Sequence, residues 1–168
     1  MSQEIFNKKI MPVRNKLYRF ALRIVANVEE AEDVVQEVML RLWRIRDNWS
    51  AIQNMEAWCM RMTKNLAIDK ARYRKPSASL ENAPEPQNTG DNPAEDLEYQ
   101  DTLARLKVLI GQLPENQRLV IHLRDIEGLS YQEIEETLEM PMSQVKINLF
   151  RARQKVREAL VKTESYGL

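Results

Sequence analysis

The spacing of apolar residues constrains this chain most. Nowhere do apolar and polar residues alternate over the length of a strand, whereas recurrences at three and four residues run along almost all of it. Only four of 168 residues are Gly, too few for a sheet protein rich in tight turns. The pattern predicts helices at roughly 3–26, 28–46, 54–74, 95–112, 115–127, 130–138 and 142–162. Several boundaries have a chemical cause. Asn27 with Glu30 suits a helix start, Gly128 a helix stop, and Ser130-Tyr131-Gln132-Glu133 is a capping box ahead of Ile134.

One stretch breaks the pattern. Residues 76–95 hold four of the seven prolines (Pro76, Pro84, Pro86, Pro93), interspersed with Ser, Asn and Gly, and can neither sustain a helix nor bury apolar surface. The expected architecture is all-α: two small helical domains, 1–75 and 96–168, joined by a flexible acidic linker, 76–95, with a helix-turn-helix in the second.

Charge divides along the same lines. The chain has 25 basic and 25 acidic residues and no net charge. Residues 1–75 carry 15 Lys/Arg against 9 Asp/Glu, residues 76–101 carry none against 7, and residues 142–162 carry six against one. Two basic surfaces are thus balanced by one acidic strip, and neutrality of the sum does not exclude a nucleic-acid partner.

Other classes are less compatible with the composition. One Cys and one His exclude a disulfide framework and argue against a structural zinc site. No apolar run is long enough to span a bilayer, and Asn7, Lys8 and Lys9 interrupt any secretion-signal core, so a cytoplasmic protein without membrane insertion is expected. No paired carboxylates, nucleophile–His pairing or Gly-rich phosphate loop suggests an enzyme, and no metal or cofactor is expected.

From Ser130 the chain reads as a short helix, a tight Glu139-Met140-Pro141 turn and a long helix, the order of a helix-turn-helix. Val145, Leu149, Ala152, Val156 and Leu160 form one narrow stripe, the expected core face. The opposite face carries Ser143, Ile147, Phe150, Arg151 and Gln154, flanked by Lys146, Arg153 and Arg157. Basic groups suit phosphates there, and polar or apolar groups suit base edges and thymine methyls.

In 28–46, Val34, Val35, Val38, Met39, Leu42 and Trp43 form a core stripe, leaving Asp33, Gln36, Glu37, Leu40, Arg41 and Arg44 as a mixed face suited to protein docking. In 54–74, Met55, Trp58, Cys59, Met62 and Leu66 read as core, with Arg61, Lys64, Ile68, Arg72 and Lys75 as a basic ladder for phosphates. Trp49, in the loop 47–53, reads equally as a core residue and as a ring placed to stack on an unpaired base. Cys59 reads as a small buried apolar group and His122 as structural or surface rather than catalytic.

Together these segments resemble the extracytoplasmic-function (ECF) sigma factors, small members of the sigma-70 family of bacterial RNA polymerase. The resemblance is carried by Ala31-Glu32-Asp33-Val34-Val35-Gln36-Glu37-Val38 through Leu42-Trp43-Arg44, by Ala57-Trp58 with Asn65-Leu66-Ala67-Ile68-Asp69, by Leu113-Pro114-Glu115-Asn116-Gln117-Arg118, by Leu129 to Ile134, and by Val145-Lys146 with Phe150-Arg151-Ala152-Arg153. It implies that Asp33, Gln36, Glu37, Leu40, Arg41 and Arg44 meet the clamp helices of the polymerase's largest subunit. It implies that Trp49, Arg61, Lys64, Asn65 and Arg72 meet the melted minus-ten strand. It places Ser143, Gln144, Lys146, Ile147, Asn148, Phe150, Arg151 and Arg153 at the duplex minus-thirty-five element. Further implied partners are the polymerase beta flap and an anti-sigma factor.

The chain departs from the family pattern at Glu135, Glu139, Ser143, Ile147 and Asn148. Glu139 stands where Gly is frequent, at a turn where a positive φ is tolerated poorly by other residues. Two rival readings are a sigma-like adaptor that binds an anti-sigma protein and a plain helix-turn-helix regulator. The first needs neither the basic ladder nor a docking helix; the second does not explain the N-terminal domain.

Overall fold

The computed structural model describes residues 2–73 and 93–165; the expected linker up to residue 92, together with Lys75, lies outside them. The described residues are helical, without a strand, and the chain divides into two compact units. The first is built on α1 (Ser2–Ile5), α2 (Arg14–Val25), α3 (Val28–Arg44) and α4 (Met55–Tyr73). The second is built on α5 (Pro93–Gly111), α6 (Glu115–Ile121), the start of α7 (Tyr131–Leu138) and α8 (Met142–Ser165).

In the first unit α2, α3 and α4 pack against one another. Leu17, Phe20, Ala21 and Val25 from α2 meet a core completed by Val34, Val35, Val38 and Leu42 of α3. Each of these side chains larger than Ala21 stabilises the fold by roughly 1.5–3 kcal/mol relative to exposure. The Asn27 side chain accepts the Glu30 amide at 3.0 Å and starts α3 as expected. Ala26, just before it, ends α2 in the left-handed region (φ 54) and donates to the Leu22 carbonyl at 2.9 Å.

The single helix expected over 3–26 is broken. Phe6–Ile10 forms a wide π-helical turn and Met11–Val13 a tight 3-10 turn before α2 begins. The signal for this was Pro12, which lacks an amide hydrogen and crowds the carbonyl four residues back.

In the second unit α6 and α8 make the main packing, and Leu119, Val120, Leu123, Leu129, Ile134, Val145, Leu149 and Ala152 are buried. The capping box forms with both bonds: Glu133 N–H to Ser130 Oγ at 3.1 Å, and Ser130 N–H to Glu133 Oε1 at 2.9 Å. Gly128 has a positive φ of 76°, in keeping with a helix stop. After α6 the backbone widens into a π-helical turn at His122–Ile126, closed by the Glu127 amide on the His122 carbonyl at 3.0 Å. The same turn brings the buried side chains of His122 and Glu127 together at 3.0 Å, so His122 is a structural histidine.

Candidate nucleic-acid interface

The outer face of α8 is the strongest feature. Val145, Leu149, Ala152 and Val156 are buried and Leu160 half-buried, which fixes the helix's rotation. Ser143, Gln144, Lys146, Ile147, Phe150, Arg151, Arg153, Gln154 and Arg157 are then exposed. Phe150 keeps 65% of its surface in solvent beside Arg151, an arrangement that folding alone does not favour. The turn between α7 and α8 adopts the geometry that the sequence resists: Glu139 has φ 52, in the left-handed region. The Pro141 carbonyl accepts the amides of Gln144 and Val145 at 2.9 and 3.0 Å and anchors the first turn of α8.

Asn148 does not join this face. It is buried, its Nδ2 donating to the Gln144 carbonyl at 2.8 Å and lying 3.8 Å from Met140 Sδ. An amide bonded back one turn is occupied by its own helix, so Asn148 shapes the start of α8 instead of reaching outward.

Arg153 is exposed yet held. Its Nε and Nη2 donate to Asp125 Oδ2 and Oδ1 at 3.0 and 2.6 Å, a two-point fork from the wide turn to α8. That hydrogen bonding, opposed by desolvation and reinforced by the Asp125 charge and by the charge and hydrogen bond of Tyr131, raises the guanidinium's pKa. The Arg124 guanidinium lies 4.8 Å from the centre of the Tyr131 ring and donates to the Leu129 carbonyl at 2.8 Å.

On α4 the core face is rotated from the expected one. Ala57, Cys59, Met60, Thr63, Lys64 and Ala67 are buried, while Trp58, Met62 and Leu66 are only half-buried. Small residues allow α4 to approach its neighbours closely, and Thr63 satisfies its hydroxyl on the Cys59 carbonyl at 2.8 Å. Arg61, Asn65 and Arg72 stay exposed in one stripe, at offsets of four and eleven residues. Lys64 leaves the ladder: only 8% exposed, it shares the face of Ala57, Met60 and Ala67, laying its stem along the packed side.

Trp49 also differs from expectation. The loop is a 3-10 turn, Arg46–Ala51, and Trp49 is 8% exposed, with its indole N–H on the Leu42 carbonyl. Its ring stacks with Phe6 at 6.4 Å between centroids and meets Trp43 edge-on at 6.3 Å. Arg46 lies over Trp43 at 4.8 Å. The face that base stacking requires is therefore covered by protein.

On α3, Asp33, Gln36, Leu40, Arg41 and Arg44 are exposed and Glu37 half-exposed, along one face. Leu40 leaves 51% of its surface in solvent among charges. Arg41 Nε donates to Glu37 Oε1 at 2.8 Å, and this bond, with the charges of Arg41 and Arg44, lowers the Glu37 pKa against an opposing desolvation. Asp33 faces Lys70 of α4 at 4.0 Å.

Comparison with known proteins places these faces in a family. Residues 10–76 match the Sigma-70 region 2 family and residues 103–156 the Sigma-70 region 4 family. ECF RNA polymerase sigma factor SigW of Bacillus subtilis is 30% identical over 94% of this chain and 90% of its own length. The chain belongs to the ECF sigma factors. SigE of Mycolicibacterium smegmatis, another ECF sigma factor, is 34% identical over 90% of this chain, which spans 60% of that relative. In fold, the sigma factor RpoE of Bartonella quintana, solved with the anti-sigma factor NepR, superposes with a TM-score of 0.71 at 22% identity, covering 92% of this chain and 96% of that one. The region 2 match contains α2, α3 and α4, and the region 4 match contains α6, α7 and α8 as far as Val156. Sigma factors are initiation factors without an enzymatic reaction of their own. Among the described residues no cluster of His, Cys, Asp or Glu could hold a metal, and no helix is long and apolar enough to cross a membrane.

Proposed function

We propose that this protein is an alternative sigma factor that binds core RNA polymerase, recognises promoter DNA at two elements and melts it at the first. Residues 1–75 serve docking and minus-ten recognition, 96–168 serve minus-thirty-five recognition, and 76–95, of which 93–95 already belong to α5, tether the two. The reading rests chiefly on the outer face of α8, where exposed Phe150 and Ile147 lie among Lys146, Arg151 and Arg153 behind a helix-turn-helix.

Roles follow from chemistry. Lys146, Arg151 and Arg153 neutralise phosphates and set register, while Ser143, Gln144, Ile147 and Phe150 face base edges and sugars. On α4, Arg61, Asn65 and Arg72 follow the separated minus-ten strand, where extruding a base costs a few kcal/mol that stacking and phosphate contacts offset. Lys64, Trp49 and Asn148 serve these faces from within by fixing the shape of α4, its preceding loop and the first turns of α8. On α3, Asp33, Gln36, Glu37, Leu40, Arg41 and Arg44 meet the clamp helices of the largest subunit, with Leu40 as the apolar centre of a charged rim. The second unit meets the beta flap, and an anti-sigma factor competes for these surfaces, as NepR accompanies RpoE. Phosphodiester chemistry belongs to the polymerase, and the protein acts in the cytoplasm.

The test is transcription from a random promoter library with purified core enzyme. Promoter-dependent transcripts sharing two spaced elements are expected. Ile147→Ser should then alter base preference at one position of the upstream element, while Arg151→Ala weakens binding to every sequence. Equal effects of both on all promoters would overturn the assignment of α8, and absence of transcripts would overturn the sigma-factor role.

A further inference from the structure

We propose that Asp125 is a positioning residue for DNA binding: its two-point grip on Arg153 aims the outward N–H groups of that guanidinium at a backbone phosphate. The proposal rests on the reading of α8 as the DNA-facing helix and adds a residue outside that helix, 28 positions away in sequence.

A guanidinium carries five N–H groups. Asp125 takes Nε–H and one hydrogen of Nη2 and Tyr131 also engages the guanidinium, so that of the three remaining hydrogens two stay on the outer edge for an anion. The side chains of Arg153 and Asp125 are 43% and 37% exposed, so the fork is not sealed and its outer edge can be reached. A planar fork held on one side is well suited to recognise an anion on the other, because the ordering of a long side chain has been completed in advance.

The brace behind the fork points the same way. Asp125 sits in the wide turn His122–Ile126, whose backbone is closed by a main-chain bond to Glu127. Its neighbour Arg124 is fixed on the Leu129 carbonyl and over Tyr131 at the start of α7. The carboxylate is thus carried by a restrained element and is not a mobile surface group. Stability is a poor explanation for so much support, since an exposed pair contributes only about 0–1 kcal/mol to folding.

The electrostatic alternative predicts the opposite sign. If Asp125 merely competed with DNA for Arg153, or repelled phosphates, removing it would tighten binding. The experiment measures holoenzyme binding, as a function of salt, to a promoter recovered from the library. The variants are Asp125→Ala, Asp125→Asn, Arg153→Ala and Asp125→Ala/Arg153→Ala. Arg153→Ala should weaken binding about tenfold and reduce the log–log salt slope by about 1. Asp125→Ala should weaken binding about fivefold despite removing a negative charge, and the double variant should bind no worse than Arg153→Ala alone. Asp125→Asn, which preserves shape, should fall between wild type and Asp125→Ala, and it carries the test if the alanine variant melts early.

Equal or tighter binding by Asp125→Asn, or additive losses in the double variant, would overturn the positioning role. If Arg153→Ala leaves affinity and salt slope unchanged while Ile147→Ser still shifts base preference, the proposal fails and α8 remains the reading helix. If all of these variants are silent, the α8 reading itself fails.

Discussion

Trp49 donates its indole N–H to the main-chain carbonyl of Leu42 across 2.9 Å, inside the first unit. The bond ties the turn after α3 back onto the Leu42 carbonyl, which also accepts the Ile45 amide at 3.2 Å. Replacing Trp49 by Phe keeps a ring against Phe6 but removes the donor. The variant should lose roughly 0.5–1.5 kcal/mol of stability, the worth of one hydrogen bond to a carbonyl that keeps its Ile45 partner, seen as a lower denaturation midpoint at unchanged slope.

The buried position of Lys64 separates it from its neighbours on α4. Lys64→Met keeps a long flexible stem without the charge. It should leave the salt dependence of promoter binding as it is, whereas Arg61→Ala and Arg72→Ala should each reduce the slope by about 1. A matching reduction for all three would show that Lys64 reaches phosphate after all.

Glu139 holds a left-handed conformation at the turn into α8. For a residue with a β-carbon this costs about 1–2 kcal/mol, partly balanced by the greater freedom glycine has when unfolded. Glu139→Gly should therefore stabilise the protein by about 0.5–1 kcal/mol, measured by thermal melting. A lower melting temperature would mean that the side chain contributes more than its strain.

Burial, and secondarily the charge of Glu56, pushes the Cys59 thiol up from 9.0 to about 12. At neutral pH the group is a protonated thiol, so alkylation of the native protein should be negligible and should follow unfolding in a urea titration. The sign for stability is also set. The raised native value favours the protonated form, so its contribution is complete below pH 9 and declines as pH rises from about 9 to 12.

The sequence was most readable where one physical effect decided the outcome. On α8 large aliphatic residues occupy one side and charges the other, so both the buried stripe and the outward face could be named in advance. On α4 the chain offered two apolar stripes. Ranking by hydrophobicity selected Trp58, Met62 and Leu66, but close helix approach selected Ala57, Thr63, Lys64 and Ala67. Residue type suggests stacking for Trp49 and the family resemblance suggests base contact for Asn148, yet each is committed to a main-chain carbonyl one or two turns away. The Asp125–Arg153 fork has no local signature, because its partners meet only when the wide turn is formed.

That turn has a consequence for tolerance to change. An α-helix advances about 100° per residue, so side chains five apart normally face different directions. The π-helical closure cancels most of that offset at His122 and Glu127, acting as a vernier between α6 and the segment leading into α7. Exchanging one side chain leaves such a vernier set. Removing a single residue resets its phase, and one slip would unseat the His122–Glu127 contact and misalign Asp125 with Arg153. This segment should accept substitutions far more readily than indels, a counting constraint written into the backbone and independent of any one side chain.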